Sequence, residues 1–222
     1  AGLFTTLLLL MTLASCDSWK TAGENPFFTE WDTPHGVPPF DKILPEHFMP
    51  AFERGMSLHE AEIDAITSNK DEATFENTIL AYDDAGQMLA QTELVFGMLC
   101  AAETNDRMQA LQEQAMPLLA AHRDKIRLDD KLFVRVKEVY DRRAALGLDA
   151  EQMRLLQKTY DSFVRAGALL DAEQKARLKE INGQLSLTAV KFGNNILAEN
   201  NNFVLELKSD ELDGLPAGIR DA

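Results

Sequence analysis

The sequence has few cysteines and few basic residues, and only one long apolar run. Its two cysteines, Cys16 and Cys100, are too few for a disulfide framework, and their different surroundings argue against a bond between them. Because 36 acidic residues oppose 22 basic ones, the formal net charge is -14, which argues against a nucleic-acid partner. The composition, 45% hydrophobic and 26% charged, is nevertheless typical of a folded globular protein.

The single long apolar run is typical of a signal peptide. Residues 3–13 carry no charge and are too few to span a membrane as a helix. The run is followed by Ala14-Ser15-Cys16, which with Leu13 resembles a bacterial lipobox, whose cysteine becomes the lipidated N-terminus. We therefore predict a signal peptide over residues 1–15, lipidation at Cys16, and a lipid-anchored protein exported to the bacterial cell envelope, on the periplasmic face or outer membrane. The alternative is a buried N-terminal helix with a chance cysteine.

The segment that follows, residues 16–44, is predicted to be extended. It contains Pro26, Pro34, Pro38 and Pro39, a density that prevents helix formation. Its aromatic and branched side chains are too numerous for a free tether, so we expect much of it to pack along the domain.

From residue 45 to residue 222 the pattern predicts a mainly α, antiparallel, bundle-like helical lobe. Stop signals separate helices expected at about 45–67, 74–103, 106–126, 129–146, 149–169 and 171–198. Asp149 with Gln152, and Asp171 with Gln174, are predicted capping boxes, and Gly147 a left-handed helix stop. Pro117 should bend or divide the third helix.

Two features suggest a fragment of a longer protein. No Met and no basic residue precede the apolar run, so we expect the natural chain to begin earlier. Near the other end, Phe203–Leu207 is predicted to be a short strand, and no second strand is in sight to pair with it.

No complete catalytic set is found among the residues. His59-Glu60-Ala61-Glu62-Ile63 comes close to the HExxH zinc motif, but Ile63 cannot bind a metal, and neither His47 nor His122 has a spacing that replaces the missing ligand. This stretch is interpreted as a polar helix face. Cys100 lies in an apolar stretch and is interpreted as a buried, unreactive thiol. The paired carboxylates are interpreted as helix caps and solvated faces.

Several segments together resemble the N-terminal part of the M3 family of zinc metallopeptidases, in the branch of peptidyl-dipeptidases (dipeptidyl carboxypeptidases) and oligopeptidase A. They are Asn25-Pro-Phe-Phe-Thr-Glu-Trp-Asp-Thr-Pro34, Val37-Pro-Pro-Phe-Asp-Lys-Ile43, Glu46-His-Phe-Met-Pro-Ala-Phe-Glu53, Thr74-Phe-Glu-Asn-Thr-Ile79, Phe163-Val-Arg-Ala-Gly-Ala-Leu-Leu170 and Gly214-Leu-Pro216. These segments occur in the same order as in the family, and chance does not explain that agreement. The stretch Thr33 to Phe40 favours the peptidyl-dipeptidase branch.

The resemblance implies a helical, two-lobed enzyme with a deep channel for short peptides, whose C-terminal dipeptides it releases. Zinc in that family is held by an HExxH helix and a later Glu in the second half of a much longer chain, and no HExxH occurs here. No catalytic, cofactor-binding or metal-binding residue is therefore assigned in this chain. The expected role is one wall of the substrate channel, inert by itself.

Two other hypotheses remain open at this point. The chain could be a stand-alone helical lipoprotein that binds a partner or peptide without cutting it, or a peptidase relative whose catalytic half was lost. A stand-alone domain should be monodisperse and unfold cooperatively, whereas a truncated lobe should expose apolar surface and aggregate or melt broadly.

Overall fold

The structure, a computed structural model, describes residues 25–208 and 211–220, which form α-helices joined by short connections. The helices are α1 Phe48–Ser68, α2 Ala81–Asp84, α3 Gln87–Ala102, α4 Asp106–Arg127, α5 Asp130–Asp141, α6 Ala150–Arg165, α7 Ala172–Asn202 and α8 Ala217–Arg220. The predicted mainly α fold is confirmed. The predicted signal peptide and Cys16 lie outside the described residues.

Short 3-10 helices occupy Pro26–Phe28, Pro34–Gly36, Pro45–His47 and Arg143–Ala145. Each of the first three begins at a proline. The N-terminal segment contains no α-helix between residues 25 and 44. Phe27 and Ile43 from this segment are buried, and Phe28 and Trp31 pack against the same core cluster. The described part of the segment therefore lies along the helical body, as its apolar content predicts.

Side-chain caps are present at the starts of three helices, and two of them are the predicted capping boxes. Asp149 accepts from the Gln152 backbone N–H at 2.9 Å, and the Gln152 side chain accepts from the Asp149 N–H at 3.1 Å. Asp171 and Gln174 form the same reciprocal pair. Asp129 caps α5 by accepting from the Leu132 N–H at 2.8 Å. Gly147 has the predicted left-handed conformation, with a φ of 66°, but it follows the 3-10 helix Arg143–Ala145, and α5 ends at Asp141 rather than near residue 146.

The helix predicted over 74–103 is wrong as a single element, because the chain breaks at Ala85 and Gly86. A π-helical turn at Phe75–Leu80 leads into α2, which ends at Asp84, and α3 starts anew at Gln87. Gly86 adopts a φ of 78°, a left-handed conformation that glycine tolerates best. The break turns α3 against α1, where Gly55 lets the two backbones approach closely at Leu89.

Four further features differ from the predictions. Pro117 neither ends nor divides α4, and the core positions Ala115 and Leu119 continue on both sides of it. α6 ends at Arg165 rather than near 169, and α7 continues through the asparagines to Asn202. The predicted strand Phe203–Leu207 is wrong: these residues have no regular secondary structure and are exposed, because no strand within the described ranges pairs with them.

The buried side chains form two clusters, and α1 and α4 contribute to both. The first cluster joins the later parts of α1 and α4 to the π-helical turn, α5 and α6, and includes Phe133 and Phe163. The second joins the earlier parts of α1 and α4 to α3 and the N-terminal segment, and includes Phe48, Phe52 and Phe96. We call them the α6 cluster and the α3 cluster.

The longest helix, α7, packs mainly on α4 and leaves an apolar face uncovered. On its α4 side, Asn182 donates to the Asp124 carboxylate at 2.8 Å, and the Lys175 side chain is buried beside Asp130. An apolar stripe at helical spacing lies beside this contact and is largely exposed, at 42% for Ile181, 62% for Leu185, 65% for Phe192 and 47% for Ile196. No described helix is long and apolar enough to cross a membrane.

Candidate functional site

A partly buried polar cluster joins α1 to α4 through two histidines. His59 Nδ1 and His122 Nε2 lie 3.0 Å apart, although the two residues are separated by 63 positions in the chain. His122 is buried, at 5% exposure, and His59 is half-buried. One ring must therefore donate and the other must accept, which requires neutral imidazole on the accepting side.

A carboxylate indicates which ring donates. His122 Nδ1 faces Glu60 Oε1 at 3.5 Å, too far for a good hydrogen bond, and Glu60 pairs with Lys125 at 2.9 Å. The negative charge favours a proton on His122 Nδ1, which leaves Nε2 as the acceptor. By this assignment His59 Nδ1 donates the bond between the two rings.

The break between α2 and α3 lies next to His59 of this pair. The Gly86 N–H donates to Glu62 Oε2 at 2.7 Å, and a Cβ on Gly86 would come within 2.9 Å of His59 Nδ1. Gly86 thus meets two requirements at once, a left-handed backbone and close approach to an imidazole ring. The interpretation of residues 59–63 as a solvated polar face missed these contacts.

A cavity of about 200 Å³ lies beside the pair. It is bounded by α1, by the α2–α3 break, by α3 and by α4. Its polar wall is formed by His59, Tyr82, Glu93, His122, Arg123 and Arg127. The volume is below the range usual for pockets that bind drug-sized ligands.

Burial decides the protonation of the groups around this cavity. It lowers the pKa of His59 and of His122 below the ordinary 6.5, and for His59 the neighbouring His122 lowers the pKa further. Burial raises the pKa of Glu93 and of Tyr82, against the opposing effect of nearby arginines. Both histidines are therefore mostly neutral at pH 7, and the hydrogen bond between them requires this of the accepting ring.

The histidine pair does not fit a zinc ion. The nitrogens that face each other are joined by a hydrogen bond, so neither offers a free lone pair to a metal in this arrangement. Within the described residues, no group of three or more His, Cys, Asp or Glu side chains is placed to hold a metal ion. The other two histidines lie apart: His47 accepts from the Leu44 N–H, and His35 sits in an exposed turn.

A wider groove runs between α3, α4 and α7, with a volume of about 530 Å³. Cys100, Met116, Val190 and Leu197 contribute its apolar surface, and Arg123 reaches its edge. Burial raises the pKa of the Cys100 thiol to about 11, so that the thiol is protonated at neutral pH and a poor nucleophile. The raised pKa agrees with the unreactive thiol predicted from the sequence, but Cys100 is only partly buried, not buried as predicted.

Comparison with known proteins identifies the relatives of the chain. It is 41% identical over 176 residues to dipeptidyl carboxypeptidase of Escherichia coli, covering 79% of this chain and 26% of that protein. The dipeptidyl carboxypeptidase of Salmonella typhimurium is 38% identical over 174 residues, 78% of this chain and 26% of that protein. Oligopeptidase A of Escherichia coli is 24% identical over 165 residues, 74% of this chain and 24% of that protein. No family model matches the chain.

The chain therefore spans about a quarter of the length of the curated relatives that it matches. The identity is higher to the two dipeptidyl carboxypeptidases than to oligopeptidase A.

Proposed function

Because the chain belongs to the M3 peptidase family, in the branch of dipeptidyl carboxypeptidase and oligopeptidase A, we propose that it is the N-terminal lobe of a zinc-dependent peptidyl-dipeptidase. The substrates would be short peptides, shortened by two residues at a time from their C-terminal ends. The observation that carries this proposal is the 41% identity to a dipeptidyl carboxypeptidase over 79% of the chain.

The proposal places the zinc and its ligands on residues of the parent enzyme outside this sequence. The nearest approach to a zinc motif, at His59, has Ile63 where the second histidine would stand, and the His59 ring is bonded to His122. No catalytic step is therefore assigned to a residue of this chain. By this proposal the chain alone is inert, and it contributes shape and positioning rather than chemistry.

The uncovered face of α7 supports a role as one lobe of a larger protein. Exposed apolar side chains are concentrated in the last part of the chain: Ile181, Leu185, Leu187, Phe192, Ile196, Phe203, Val204, Leu205, Leu207, Leu215 and Ile219. Four of them, Ile181, Leu185, Phe192 and Ile196, recur at helical spacing along α7, and an exposed apolar stripe usually marks a contact with another protein surface or a ligand groove. In the proposed enzyme it faces the rest of the protein, beside the substrate channel.

The coding sequence after Ala222 offers the most economical test of this proposal. If the chain is the N-terminal lobe, the reading frame continues and encodes an HExxH motif. Sequencing the gene on both sides of the known region gives the answer. A stop codon directly after Ala222 would contradict the proposal and would leave a stand-alone helical lipoprotein or a relative without its catalytic half.

We further propose that Cys16 anchors the protein to a membrane of the bacterial cell envelope. The support is the sequence pattern before Cys16, a charge-free apolar run followed by small residues. Acyl chains on the cysteine would supply membrane affinity through their buried methylene groups. Cys16→Ala should move the protein from the membrane fraction to the soluble fraction, as followed by centrifugation and immunoblotting. Cys100→Ala is the matched control, and unchanged partitioning of Cys16→Ala would contradict the anchor.

A further inference from the structure

The two histidines lie at the boundary between the two core clusters. On α1, His59 stands between Phe52 of the α3 cluster and Ile63 of the α6 cluster. On α4, His122 stands between Leu119 of the α3 cluster and Ile126 of the α6 cluster. The polar contact between the rings therefore joins the two helices where the apolar packing changes from one cluster to the other.

We propose that the His59–His122 pair is a pH-sensitive latch that joins α1 to α4 between the two core clusters at neutral pH and loosens this junction under mildly acidic conditions. The inference does not depend on the proposed peptidase function, since it rests on contacts within the described chain. The moving parts are α1 and α4 at this level, together with the α2–α3 break at Gly86, which packs against His59.

The hydrogen bond explains how protons act on the latch. A first proton can bind the outer nitrogen of His59 and leave the bond between the rings intact. A second proton must bind Nε2 of His122, which is the acceptor of that bond. Two charged imidazoles with ring centroids 5.0 Å apart would then repel each other in a partly buried site.

The surrounding charges come from every element that packs against the pair. From α1, Glu60 and Glu62 favour protonated histidine, but Glu60 is bound to Lys125 and Glu62 accepts the Gly86 N–H. From α4, Lys125 and Arg123 oppose protonation of His122. The remaining groups at the cavity are Tyr82 at α2, Glu93 on α3 and Arg127 on α4. Burial outweighs these carboxylates at both rings, since the pKa of each histidine is lowered.

The direction of the pH effect follows from the lowered pKa values of both histidines. In a locally opened state the rings regain an ordinary pKa near 6.5, so the open state binds protons more readily than the closed one. The closed latch is fully favoured above that value and is weakened as the pH falls below it. Each histidine that stays neutral in the closed state at pH 5.5 should raise the open fraction by about tenfold relative to pH 7.5.

The carboxylates nearby cannot produce the same effect in this pH range. The ion pair with Lys125 lowers the pKa of Glu60 below the ordinary 4.5, so that Glu60 remains charged at pH 5.5. Burial raises the pKa of Glu93, and taking up a proton there would favour the closed state instead. Loss of the latch between pH 7.5 and 5.5 would thus report on the histidines.

Hydrogen–deuterium exchange of the 222-residue chain tests the latch, with protection factors corrected for the intrinsic effect of pH. Amides of α1 around His59, of α4 around His122 and of the Gly86 turn should lose protection between pH 7.5 and 5.5, by about tenfold for each histidine that stays neutral in the closed state. His122→Gln keeps a polar group near the position of Nε2, and His59→Asn keeps one near Nδ1, but neither new side chain titrates. Each single variant retains one titrating histidine and should lose less protection than the wild type, and in the variant with both substitutions the pH-dependent loss should shrink to about twofold or less.

His35→Asn is the matched control, because His35 is an exposed histidine with a φ of 61°, a conformation that asparagine tolerates. It should retain the wild-type response. A ring titration by NMR provides a second readout that does not require a variant to fold: both paired rings should titrate below pH 6.5. The proposal is overturned if the variants lose protection as the wild type does, or if the paired rings titrate at or above 6.5.

Discussion

Phe163→Ala should lower the free energy of unfolding of the chain by about 3 to 5 kcal/mol. Phe163 is fully buried in the α6 cluster, and its ring centroid lies 5.2 Å from that of Tyr82 and 6.1 Å from that of Phe133. Truncation would leave a cavity between α5, α6 and the π-helical turn that these rings cannot fill. Urea unfolding followed by circular dichroism measures the change.

Phe192→Ala is the matched control on the uncovered face of α7. The same side chain is removed, but Phe192 is 65% exposed, so the free energy of unfolding should change by less than about 0.5 kcal/mol in the 222-residue chain. In the longer protein, where we propose that this face meets the rest of the enzyme, the cost should rise above about 2 kcal/mol. Equal costs for Phe163→Ala and Phe192→Ala in the chain would contradict the described packing of α7.

The helices and their boundaries could be predicted where the signal is local. A capping box requires only residues three positions apart, and both predicted boxes, at Asp149 and Asp171, are present. Gly147 adopts the predicted left-handed conformation, although α5 ends earlier, at Asp141. The break at Gly86 was not predicted, because its causes are partners on another helix, Glu62 and His59.

The interior contacts could not be predicted because they join distant parts of the chain. The approach of His59 to His122 depends on the packing angle and register of α1 and α4, which no local pattern specifies. Arg135 shows the same limit: it is buried and donates to the backbone carbonyls of Asn69 at 3.0 Å and Asp71 at 3.1 Å, and so fixes the loop before the π-helical turn. From the sequence alone, such a buried arginine on a helix cannot be distinguished from an arginine on the surface.

The last described part of the chain contains two apolar patterns that no other described element packs against. The alternation at Phe203 to Leu207 predicts a strand, yet a strand needs a neighbour to take up its backbone hydrogen bonds. The apolar residues of α7 recur at helical spacing, but none of the described helices covers them. Both features are consistent with the proposed larger enzyme.

The 222-residue chain should release no dipeptide from a short peptide, whereas the longer protein that contains it should do so with turnover in the ordinary range of about 1 to 1,000 per second. The expected difference is all or none, because by our proposal the metal ligands and the general base belong to the parent enzyme. Removal of the metal by a chelator should abolish the activity of the longer protein, and added zinc should restore it.

The most direct measurement is mass spectrometry of a defined octapeptide incubated with each protein. The account predicts products shorter by two, then four residues from the C-terminal end with the longer protein, and an intact peptide with the 222-residue chain. Cleavage by the chain alone, or an intact peptide with the zinc-loaded longer protein, would contradict it.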